Sequence, residues 1–149
     1  MRIFNKYGSK ERLFEVFQRV NGVILNEEVL PKEKRQEIIE EFVQYCTNEL
    51  GLESTPELEI SYDNKDAQDM RSYGLYTPNE NKLMVVAVNR NLGDILRTIA
   101  HELVHHRQFL DNKLTQDSNK TGSEQENEAN AMAGVLMRNF GKLTPDIYE

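Results

Sequence analysis

Three observations predict an α+β fold for this chain. Helical periodicity occupies both ends of the sequence, while alternation of apolar and polar residues is confined to its middle. At 149 residues, with 38% hydrophobic and 29% charged side chains, there is apolar material for one core and little for a second. All three histidines fall within His101-Glu102-Leu103-Val104-His105-His106, a run with helical spacing, so the chemistry is concentrated on one helix. The order of helices, a small antiparallel sheet and two further helices is that of an α+β domain.

Ser9 to Val20 reads as a first amphipathic helix, with Leu13, Phe14, Phe17 and Val20 at helical spacing and a turn at Asn21-Gly22. The chain therefore divides into an N-terminal amphipathic segment, 1–22, suited to docking, and a single domain, 23–149. Pro31 precedes a helix from Lys32 to Leu50, in which Ile38, Ile39, Phe42, Val43, Cys46 and Leu50 form one stripe before Gly51 stops it. Leu58, Ile60 and Tyr62 alternate as a short strand, and the polar run from Asp63 to Arg71 reads as a loop. Tyr73 to Thr77 and Lys82 to Val88, joined by Pro78-Asn79-Glu80-Asn81, form a hairpin whose second strand is strongly apolar. The histidine helix runs from Asp94 to Leu110, with Ile95, Ile99, Leu103 and Leu110 opposite His101 and His105. Residues 111 to 122 are polar, end in Gly122, and are expected to lie over or beside a cleft. Ser123 N-caps the last helix, Glu126 is its capping-box partner, and Ala129, Ala133, Leu136, Met137 and Phe140 share the apolar face.

His101-Glu102-x-x-His105 is an H-E-x-x-H motif, and its spacing has a physical reason. Residues four apart on a helix lie about 6 Å apart along the axis and about 40° apart around it, so both rings can present a nitrogen to one Zn²⁺. Glu102 then stands beside the ion as a general base without being a ligand. A chance pairing of histidines and a decayed site that only holds structure are the alternatives. His106 projects towards the apolar side and is read as a packed or capping histidine. A catalytic zinc usually takes a third protein ligand. Of Glu124, Glu126 and Glu128, only Glu126 continues the apolar face of its helix, so Glu126 is the candidate, with the capping-box role as its structural alternative. Asn130, four residues on, is placed to hydrogen-bond the free ring nitrogen of a histidine ligand. Zinc follows from the donor types, and another divalent ion can use the same set.

With Glu126-x-x-Ala129-Asn130-x-x-Ala133 downstream, the sequence resembles the gluzincin pattern, H-E-x-x-H followed by E-x-x-A-[DN], and within it the small ImmA/IrrE-like zinc metallopeptidases. The resemblance covers about Leu83 to Phe140. Met132 departs from it where an aromatic residue is usual, Asn130 replaces an acid, and Arg107 stands at a usually apolar position. The resemblance implies a zincin-like core and peptide-bond hydrolysis by metal-activated water. It also implies that the strand from Leu83 to Val88 forms the edge of the cleft and takes up extended substrate as a further strand. It leaves the oxyanion donor open among Tyr73, Tyr76 and Arg71, each of which is more simply structural. A regulatory peptidase that cleaves one repressor is a further implication.

The net charge of −7 argues against a nucleic-acid partner, because no basic stripe is available to neutralise phosphates. No apolar run reaches membrane-spanning length and no secretory leader is evident, so neither membrane nor secretion is expected. The single cysteine, Cys46, lies on an apolar helical face and suits a reducing compartment, which makes cytoplasm the default. The segment Glu11 to Asn21 resembles leading segments of tailed-bacteriophage proteins. That likeness implies a phage-encoded chain, in the host cytoplasm or the virion, whose N-terminal helix docks on an assembly partner. The alternative to catalysis is accordingly a zincin-fold structural or docking module.

Overall fold

The computed structural model describes residues 30–70 and 72–148. The segment 1–22 expected to dock, the phage likeness read from it, and Arg71 lie outside the described residues. Helix α1 (Lys32–Glu49) buries the stripe Ile38, Ile39, Phe42 and Cys46. Its end has a local cause: Gly51 adopts a left-handed φ of 65°, and the amides of Gly51 and Leu52 turn back to the carbonyls of Asn48 and Thr47. Arg107, unusual in its position by the sequence pattern, donates to the carbonyls of Leu50 and Gly51 at 3.2 and 3.0 Å and so secures this helix end. Cys46 is fully buried, and burial pushes its thiol pKa well up.

Strand β1 (Glu57–Ser61) is followed by α2 (Asn64–Asp69), a short helix where a loop was expected. Asp63 makes this turn by accepting the Lys65 amide on its side chain at 2.8 Å, an N-cap that a polar run conceals. Strands β2 (Gly74–Thr77) and β3 (Lys82–Val86) form the expected antiparallel hairpin, with Asn81 left-handed in its turn. The sheet order is β1-β3-β2, and β1 runs parallel to β3. The sheet is therefore mixed, and the expectation of a wholly antiparallel one is corrected. β3 returns from the hairpin turn into the slot between β2 and β1, and the crossover from Ser61 to Lys82 is long enough for parallel pairing. The most apolar strand, with Leu83, Val85 and Val86 buried, thereby takes the centre.

Helix α3 (Leu92–Leu110) begins where Asn91 accepts the amide of Asp94, two residues earlier than expected. It packs against β2, β3 and α4 (Glu124–Leu143). Ile95, Ile99 and Leu103 are buried as expected, joined by Leu92 and Leu96, whereas Leu110 in the last turn is exposed. The predicted face of α4 is buried in full, and Phe140 meets Phe42 edge-on at 5.0 Å. Residues Gln36–Tyr148 make one compact unit. Among the described residues no helix is long and apolar enough to cross a membrane.

Candidate metal centre

The motif helix delivers two histidines and the first turn of α4 delivers a carboxylate. His105 Nε2 lies 3.0 Å from Glu126 Oε2 and 3.2 Å from His101 Nε2, and His101 Nε2 lies 3.1 Å from Glu126 Oε1. His101, His105 and Glu126 are the one such cluster among the described residues. Glu124 and Glu128, the competing carboxylates, are exposed. Glu126 donates its amide to Ser123 Oγ at 3.1 Å, so Ser123 is the N-cap, but the Glu126 carboxylate faces the histidines instead of closing the capping box.

Hydrogen-bond accounting tests whether a cation fits. The amide nitrogen of Gln108 donates to Gln125 O and Glu128 Oε1, so its oxygen faces His105 Nδ1 at 2.8 Å and must accept. Nδ1 therefore carries the hydrogen, and in the neutral ring Nε2 offers a lone pair to a carboxylate oxygen 3.0 Å away. Two acceptors at that distance repel unless a proton or a metal ion stands between them. Two donors on a tetrahedral zinc lie about 3.4 Å apart, a few tenths of an ångström from what is found. The donor set fits a divalent ion. Burial lowers the His101 pKa, which favours the neutral ligand form, and the Asn130 side chain hydrogen-bonds the same ring, as its place on the helix suggested.

Glu102 is the most deeply set carboxylate here. Burial, aided by Glu126, raises its pKa to about 7, against the pull of His105 and of the Tyr76 backbone N–H that it accepts. Its Oε2 is 3.9 Å from His101 Nε2. His106 turns the other way: 2% exposed, it donates from Nε2 to Ser54 O and accepts the Tyr76 hydroxyl on Nδ1 at 2.6 Å. It is a packed, neutral histidine whose pKa burial lowers. The Tyr76 hydroxyl is thus committed to His106, and Tyr73 lies under the Arg90 guanidinium at 4.2 Å.

The four site residues form the floor of an open cleft of about 570 Å³. Gly74, Leu75, Tyr76 and Pro78 make one wall, and Leu114, Thr115, Gln116, Ser118 and Asn119 make the other. The second wall is the polar loop expected beside the cleft, pinned where Ser118 Oγ accepts the Thr115 amide and Ser123 Oγ donates to Ser118 O. The first wall is built on β2, one of the two outer strands. The expectation that the strand from Leu83 onwards forms the cleft edge is therefore corrected, because pairing on both sides leaves β3 no free edge. Sequence reasoning missed Gln108, Gly74 and the Tyr76 backbone; the one available signal was Gln108, a polar residue one helical turn beyond His105.

A family model described as the IrrE N-terminal-like domain, a peptidase family, matches residues 57–139, more than half of the chain and the whole of this cleft. No curated protein and no solved structure matches the chain.

Proposed function

Because the chain belongs to the peptidase family of IrrE N-terminal-like domains, we propose that it hydrolyses peptide bonds, with His101, His105 and Glu126 holding a zinc ion and Glu102 acting as general base. The observation that carries this reading is the convergence of three electron-pair donors beside a largely buried carboxylate at the floor of one open cleft. Zinc bound there would polarise the scissile carbonyl, acidify water and favour the ionised form of Glu102. Glu102 takes the proton of the attacking water and returns it to the leaving amine. A base whose pKa is raised towards the working pH is suited to both transfers, and burial acts in that direction. The Tyr76 N–H holds the carboxylate in place between transfers. Extended substrate adds beside β2, whose outer edge lines the cleft, so main-chain hydrogen bonds give a grip that tolerates many sequences.

Digestion of a peptide mixture, read by mass spectrometry, tests the proposal. The zinc-loaded chain is expected to cleave. Glu102→Gln should cleave on the order of 10²- to 10⁴-fold more slowly while still binding metal, and His101→Ala should lose both properties. Full activity in Glu102→Gln would overturn the mechanism. Metal binding without any cleavage by the wild type would favour the docking-module reading instead.

A further inference from the structure

We infer that Gln108 is the positioning residue of this metal centre: one buried amide orients the ring of His105 and clamps the first turn of α4, so that ligands from two helices are set by a single side chain. The inference rests on the three-ligand reading above.

Gln108 is 2% exposed and lies one helical turn beyond His105. At its oxygen end it accepts from His105 Nδ1 at 2.8 Å. A histidine ring can carry its hydrogen on either nitrogen and its outer torsion is soft, so an unpartnered His105 would be free in both respects. The Gln108 oxygen removes both freedoms, because it accepts only, and it directs the Nε2 lone pair towards His101 and Glu126. At its nitrogen end Gln108 donates to Gln125 O at 3.0 Å and Glu128 Oε1 at 2.7 Å. These two residues bracket Glu126, so the clamp sets the height and rotation of the turn that carries the third ligand. Gln125 extends the connection by donating its own side-chain amide to Lys113 O at 3.0 Å, at the start of the cleft loop. All of the polar atoms of Gln108 are used, and each partner is either a ligand or a neighbour of one.

The test uses the full chain, stripped of metal and titrated with cobalt(II) against a chromophoric chelator, with the cobalt absorption bands reporting donor set and geometry. Gln108→Leu keeps the bulk but neither accepts nor donates. It should bind cobalt about 10- to 100-fold more weakly, with altered bands, while the metal-free chain melts within a few degrees of wild type. Gln108→Glu keeps an oxygen opposite His105 Nδ1, so it should recover the wild-type bands. It should still bind more weakly than wild type, because it cannot donate to Gln125 and it faces Glu128. A Gln108→Leu chain with wild-type bands and an affinity within roughly twofold of wild type overturns the inference. So does a parallel fall of cobalt affinity and metal-free melting temperature in both variants with no spectral recovery in Gln108→Glu, which would make Gln108 a packing residue. A wild-type chain that takes up no cobalt overturns the three-ligand reading itself, a result distinct from either of these.

Discussion

Gly74 sets how closely the edge of the sheet approaches Glu102, the proposed base. A Cβ at this position would stand 2.6 Å from Thr98 Cγ2 and 3.0 Å from Glu102 Cγ, so Gly74→Ala must displace β2 or the α3 side chains of Thr98 and Glu102. The nearest atoms to it belong to Thr98 and Glu102 and not to His101, His105 or Glu126. We predict that Gly74→Ala retains its metal and loses on the order of 10²-fold in kcat/KM, since shifts of about an ångström at a reacting group cost that much. Metal content and peptide cleavage measured on one preparation check both halves, and wild-type cleavage would mean that the strand yields without moving Glu102. At this scale much of the candidate site was legible. His101, Glu102 and His105 are related by the pitch of one helix, and Glu126 was separable from Glu124 and Glu128 by its helical face. Gly74 and the Tyr76 amide were not legible, because each matters through a neighbour brought to it from another element.

The N-terminus of α4 joins an ordinary helix start to a candidate ligand. Ser123 Oγ accepts the amide of Glu126 and donates to Ser118 O at 2.6 Å, so one hydroxyl caps the helix and pins the loop wall of the cleft. Ser123→Ala is expected to lower stability by about 1 kcal/mol, the usual worth of such a cap. It should also weaken metal binding, since the amide it releases belongs to Glu126. Denaturant unfolding of the metal-free chain and a zinc titration measure the two effects separately, and an unchanged zinc affinity would uncouple cap from ligand. The elements themselves were largely readable: α1, the hairpin, α3 and α4 all lie within a few residues of their expected bounds. The exceptions have identifiable reasons. Helix α2 is a six-residue helix started by the Asp63 side chain, without an apolar stripe to announce it. The parallel pairing of β1 depends on which strand the hairpin inserts beside, and alternation within β1 carries no record of its neighbour.

For the molecule as a whole, the candidate site joins α3 to α4, so metal binding and folding should be linked. An ion held only by the folded chain stabilises it by about 4 kcal/mol when present at about 1,000 times its dissociation constant. The melting temperature should therefore rise with free zinc and fall on chelation, and Glu126→Ala should flatten that dependence. A thermal melt across a zinc series reads this directly, and a wild-type melting temperature independent of zinc would sink the linkage. The sequence by itself determined the α+β class, the helix that carries the histidines, the most eligible glutamate and the packed role of His106. All of these follow from period, spacing and side-chain type within one element. Only the tertiary structure decided that β2 and not β3 borders the cleft, that the Tyr76 hydroxyl serves His106, and that Gln108 ties His105 to α4. Those outcomes depend on contacts between elements far apart in the chain, and the geometry of such contacts is set by how helices and strands pack rather than by any local pattern of residues.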